Sequence, residues 1–245
     1  MSSIISDMDS NTAQLILPEL LILGGIIAMI LIPNLGDATM RIPLTRTRIP
    51  ILIGGTRFAT TNNPKLPNQI ATTALALAFL TSLLFLGEEG EVGNSLHVDE
   101  FSRMFTLIFT AALLLASLAT TARLPARPGA SAPLDTDSTA RSDSKVNALI
   151  DNRRQVDFHI LLLTTGLGMS LMAMATNLFM LFVCLELASL SSYVLVAFHK
   201  EADVGGEAGT KYFIVGSVVS AVGIYGMSLL YLWNGSLDMA DLATS

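Results

Sequence analysis

Apolar residues in this chain run together in long blocks and do not alternate with polar ones. A bilayer core about 30 Å thick needs roughly 20 residues of helix to cross it. Six blocks approach that length: 15–32, 70–86, 104–122, 158–175, 178–198 and 208–233. Glu19 interrupts the first near its start and Pro33 stops it. Gly87 and an acidic cluster end the second, and the third is uncharged between Arg103 and Arg123. Asn177 marks a tight turn between the fourth and fifth. Tyr231 and Trp233 sit at the far end of the sixth, where amphipathic rings favour the headgroup level. No block shows the two-residue period of a membrane strand.

The pattern predicts an all-α transmembrane helix bundle of about six spans. Its parts are a tail over 1–14, three spans over 15–122 with a basic loop at 33–69, a basic loop at 123–157, three spans over 158–234 and a tail over 235–245. Residues 125–144, rich in Pro, Ser, Ala, Asp and Thr, bury too little apolar surface to offset ordering, which predicts a flexible loop.

Composition agrees. Charged residues make up 14% of the 245, against roughly 25% in soluble domains. A net charge of −6 gives no basic field for nucleic acid. The single cysteine, Cys184, excludes a disulfide framework, a Cys-rich zinc site and an Fe–S cluster built by this chain. The eleven methionines read as adaptable packing. Residues 1–9 hold no Lys or Arg, so they lack the basic segment of a signal or transit peptide. Either a targeting segment has been removed or the first span directs insertion.

Charge also sets orientation. Twelve of the fourteen basic residues fall in alternate loops: 33–69, 120–157 and the short loop at Lys200. The opposite side has only Arg103, beside Glu88, Glu89, Glu91, Asp99 and Glu100, and the fourteenth is Lys211 inside the last span. By the positive-inside rule both termini face the outer, electrically positive side.

Two residues carry candidate chemistry. Glu186 lies ~12 Å into the fifth span, close to the midplane. An ionised carboxylate there is costly and faces protein or a water-filled cavity. It is either a group that loads and releases a proton or a protonated interhelical link. Lys211 either snorkels, pairs with Glu207 one helical turn earlier, or reaches Glu186 on the neighbouring span. Switching between the two acids would make it a gate. His159, at the start of the fourth span, reads first as an interfacial histidine and second as a secondary proton site. His97 and His199 read as exposed loop residues, and Glu19 as an interfacial acid reaching headgroups. Gly216, Ser220 and Gly223 put small residues on one side of the last span, as close packing requires. There is no P-loop, dinucleotide fingerprint, nucleophile elbow or metal motif.

The stretch from Glu186 to Tyr193 (ELASLSSY) resembles the signature around the buried glutamate of the antiporter-like, proton-translocating subunits of respiratory complex I. Glu207 to Gly216 (EAGTKYFIVG) resembles the stretch with their buried lysine. Val98 to Ser102 and Leu115 to Thr120 resemble the third span of subunit 2 of NADH–ubiquinone oxidoreductase. The likeness covers most of 95–240 and fades before residue 70.

The resemblance implies about fourteen spans with two inverted repeats of five helices, and a Glu–Lys pair here at Glu186 and Lys211. It implies redox chemistry elsewhere, with FMN, Fe–S clusters and ubiquinone in partner subunits and no cofactor on this chain. The sequence ends just after the sixth span, so the expectation is a split subunit completed by a separate chain. Its setting would be the mitochondrial inner membrane or, alternatively, a bacterial plasma membrane. Expected partners are other membrane-arm subunits and lipids such as cardiolipin. The alternatives are a structural subunit without its own proton path and a cation/proton antiporter subunit.

Overall fold

The computed structural model describes residues 10–34, 39–41, 48–50, 52–53, 56–57, 66–93, 95–120, 138–198 and 203–244. In chain order the elements are α1 (Ser10–Leu15), α2 (Leu17–Asn34), β1 (Thr39–Arg41), β2 (Arg48–Pro50), β3 (Leu52–Ile53), β4 (Thr56–Arg57), α3 (Leu66–Leu84), β5 (Gly90–Val92), β6 (Leu96–Val98), α4 (Glu100–Ala119), α5 (Ser138–Ala173), α6 (Leu178–Val196), α7 (Asp203–Asn234) and α8 (Met239–Thr244). Several residues behind the charge rule, including Arg46, Lys65, Arg123, Arg127 and Lys200, lie outside the described residues, as does His199.

The chain is a multi-pass helical bundle, as expected. Five helices are long and apolar enough to cross a membrane, and α2 has a shorter apolar stretch, Leu17–Leu31. Pro18 lacks an N–H, and the helix breaks just before it at Ile16, between α1 and α2.

Helices α2, α3, α4 and the membrane part of α5 form a four-helix unit. Its centre is apolar: Ile22, Ile26 and Met29 of α2 meet Ala71, Leu75 and Ala78 of α3, Leu113 of α4, and Leu162, Leu163 and Leu167 of α5. Helix α4 is inside-out relative to a soluble helix. Its buried face is Ser102, Arg103, Thr106, Thr110, Leu113 and Ser117, while Phe101, Met104, Ile108, Leu115 and Leu118 point outward. Surrounding lipid is as apolar as leucine, so polar and small residues, not apolar ones, mark the contacts between helices. Helix α4 starts sharply because Asp99 and Ser102 cap each other: Ser102 N–H donates to the Asp99 carboxylate at 2.7 Å, and Asp99 N–H to the Ser102 hydroxyl at 2.9 Å.

Helix α6 packs on α5, and α7 on α6. A side chain at Gly168 would meet the backbone of Cys184 and Ala188, which sets how closely α5 and α6 approach. Asn177 caps α6 through its side chain, which accepts from Phe179 N–H at 2.9 Å.

Three regions depart from expectation. The 123–157 segment is partly helical, since α5 starts at Ser138, and residues 121–137 lie outside the described residues. The 33–69 segment carries two short antiparallel pairs, β1–β2 and β3–β4, and β5–β6 makes a third. His97 sits in β6 with its N–H on the Met174 carbonyl at 2.7 Å, so it is not an exposed loop residue. The C-terminal tail folds back: Leu178 N–H donates to the Leu237 carbonyl, and Met239 N–H to that of Thr176. Both ends of the described chain therefore lie at one face of the bundle, called here the upper face.

Candidate functional site

Helix α7 approaches α6 along one seam. A Cβ at Gly216 would overlap the Tyr193 ring, and one at Gly209 would meet Ala197. Gly223 faces Phe182. The positions 209, 216, 220 and 223 recur at helical spacing, so they form a single stripe. Ser220 interrupts the glycines, and its hydroxyl donates to Oε1 of Glu186. Glu186 is half-buried and lies near the middle of α6, eight residues from its start, or ~12 Å. Acid and hydroxyl thus meet at mid-helix on both elements.

Lys211 is elsewhere. It forms an ion pair with Glu207 on its own helix, with both side chains well exposed. At about 100° per residue, the nine positions from 211 to 220 turn α7 by about two and a half turns, so Lys211 points away from the α6 seam. The same nine residues put it ~13 Å from Ser220 along the axis. No direct ion pair joins Glu186 and Lys211. The expected Glu186–Lys211 pair is thus not formed, because the residues occupy opposite sides of one helix at different depths. The pairing of Lys211 with Glu207 is the contact present.

His159 is buried within the protein near the lower end of its span. Its Nδ1 lies 2.8 Å from the Gln155 carbonyl and its Nε2 lies 3.5 Å from the Thr120 hydroxyl. Nearby helix ends add a Ser117 to Asn68 side-chain bond of 3.2 Å. The apolar centre of the four-helix unit separates this lower polar layer from the upper face.

Sequence reasoning missed a second charged site. Glu19 does not reach outward: it is 3% exposed, and Arg103 is fully buried. Arg103 Nη2 donates to the Leu15 carbonyl at 2.6 Å, and the Thr106 hydroxyl lies 3.5 Å from Glu19 Oε1. The available signal was that Arg103 is the lone cation on the acidic side, set just before an apolar run. Among the described residues, no group of three or more His, Cys, Asp or Glu converges where it could hold a metal.

Residues 175–245 match the profile of the family described as NADH:quinone oxidoreductase/Mrp antiporter, TM. The chain is 28% identical over 230 residues, 94% of its length, to NADH-quinone oxidoreductase subunit N of Beijerinckia indica, and covers 38% of that protein. It is 33% identical over 183 residues to subunit N 2 of Syntrophobacter fumaroxidans, covering 74% of itself and 34% of the relative. In structure it resembles a chain of respiratory complex I from Thermus thermophilus, solved with bound aureothin, at a TM-score of 0.60 and 22% identity. That likeness covers 90% of this chain and 38% of the other. The chain thus spans less than two fifths of the length of these relatives, and it shares the fold of the matched part of that complex I chain.

Proposed function

We propose that the chain is an antiporter-like membrane-arm subunit of a proton-translocating NADH:quinone oxidoreductase, with Glu186 as its proton-carrying group. One observation carries the reading: within the family-matched segment, a mid-span carboxylate is held against a hydroxyl on the next span. A carboxylate at that depth exchanges a proton only where polar partners stabilise both of its forms, and Ser220 can donate to the ionised form or accept from the neutral one. This chain contributes no redox chemistry in this reading. FMN, Fe–S clusters and quinone belong to other subunits, and electron transfer there drives proton movement here.

Lys211, with Glu207, lies on the side of α7 turned away from α6. Five residues of α7 between Val215 and Tyr225 are at least 60% exposed, as are Leu232 and Trp233. That face suits further helices, from a longer form of this chain or from a complementary one, and Lys211 would meet its functional partners there. A direct switch of Lys211 onto Glu186 would require α7 to rotate. His159, walled from the upper face by apolar side chains, acts at most within its own half of the membrane.

The Mrp antiporters share the matched family, which makes a cation/proton exchanger the second reading. A structural subunit without a proton path is the third. The relatives named above are bacterial, so a bacterial plasma membrane stands beside the mitochondrial inner membrane as the setting; in either, the upper face would be the positive side.

The test is Glu186→Gln in the assembled complex, in sealed membrane vesicles oxidising NADH. The expected outcome is at least a halving of protons moved per electron with assembly retained. Unchanged stoichiometry rejects Glu186 as a carrier and favours the structural role. Failure of the chain to co-purify with NADH oxidation favours the exchanger.

A further inference from the structure

Glu19 and Arg103 carry opposite charges deep in protein, within electrostatic reach of each other. They nevertheless form no ion pair at 4.0 Å or less. Glu19 Oε2 and Arg103 Nε and Nη1 have no hydrogen-bond partner. Two other buried polar atoms among the described residues share this state, the hydroxyls of Ser82 and Ser170. Each of these residues lies within four positions of the helix end at the upper face: Glu19 at the start of α2, Ser82 at the end of α3, Arg103 at the start of α4 and Ser170 at the end of α5. One layer of the four-helix unit thus gathers free donors, a free acceptor and two hydroxyls from all four helices.

Buried charges left without partners cost several kcal/mol in general, and native proteins satisfy them with ordered water where protein does not. The occupant follows from the charges. An anion attracted by Arg103 is repelled by Glu19, and a cation attracted by Glu19 is repelled by Arg103. A small neutral molecule that both donates and accepts suits both. We propose that Glu19 and Arg103 form a water-bridged ion pair, an internal water site at the upper face of the four-helix unit. Its waters accept from Arg103 Nε–H and Nη1–H and donate to Glu19 Oε2. The site ends blindly, because Ile22, Leu163 and Leu167 belong to the apolar core further along these helices. It is independent of whether Glu186 carries protons.

Radiolytic hydroxyl labelling in native membranes, with oxygen-18 water, tests this on the intact protein. Bound water delivers label to buried side chains that bulk water cannot reach. Pro18, as fully buried as Leu75, is expected to label several-fold more than Leu75. Labelling no higher than at Leu75 overturns the proposal, and this comparison needs no variant. In a folded double variant, Glu19→Leu with Arg103→Met, label at Pro18 is expected to fall to the Leu75 level. Label retained there shows that the pair does not hold the water, and also overturns the proposal.

Discussion

At Glu186 the carboxylate has a hydroxyl neighbour and sits half-buried between two spans. Removing the hydroxyl tests the neighbour separately from the acid. Ser220→Ala is expected to slow coupled turnover by several-fold while leaving the stoichiometry of proton movement near normal, read by pumping assays alongside NADH oxidation. Glu19 and Arg103 call for a different measurement. Arg103→Met leaves the Glu19 charge uncompensated in the interior, which costs ~3–5 kcal/mol when a buried pair is broken. A large drop in the unfolding temperature of solubilised protein is expected, with most of it recovered in the Glu19→Leu, Arg103→Met double variant. The sequence made Glu186 legible because an acid inside a 20-residue apolar run has few readings. It hid the Glu19 site because each charge alone looks interfacial, and only the packing of α2 against α4 brings the two together. Lys211 was legible as a residue of interest but not by partner. Both candidate acids lie within reach in sequence terms, and helical phase, fixed by the glycine stripe, decides between them.

At the scale of elements, α6 and α7 touch through glycines, so bulk there acts on the site at a distance. Gly216→Leu must displace the Tyr193 ring, and with it the alignment of Ser220 on Glu186. Cysteines placed at Phe182 and Gly223 are expected to be joined by a short bifunctional thiol cross-linker in the otherwise unaltered chain, and that cross-link is expected to be lost when Gly216→Leu is added. The Asn177 cap makes a smaller contribution: Asn177→Ala is expected to destabilise by ~1 kcal/mol, measured by denaturation in detergent. Helix centres were legible from the apolar runs because length alone identifies a span. The ends were less so. Helix α5 runs to Ser138 because a low-complexity composition does not forbid helix once a long apolar segment nucleates it, and propagation costs less than nucleation. The short strand pairs carry no periodic signal at two or three residues each.

Across the whole molecule, the four-helix unit is closed and α7 is open. Along the most apolar stretch of α7 no residue is buried, against about a third in α3 and α4. In the assembled protein, cysteines at Val218 and Val222 are expected to resist membrane-soluble maleimides, whereas one at Leu115 on the outer face of α4 reacts; equal reactivity would leave α7 facing lipid. At the upper face, three separate parts of the chain are joined through main-chain atoms: His97 to Met174, Thr176 to Ser95, Leu178 to Leu237 and Met239 to Thr176. Side-chain substitution cannot remove these links, so they persist through sequence change in a way that the Glu186 contact does not. Their amides are expected to be among the slowest to exchange deuterium outside the helices. A seam fixed at one rim behaves as a pivot. Tilting a span by about 5° about it leaves the rim in place and carries the far end, ~30 Å away, some ~3 Å sideways. Whatever motion reaches this part of the membrane would then be smallest at the chain's two ends and largest beside Lys211.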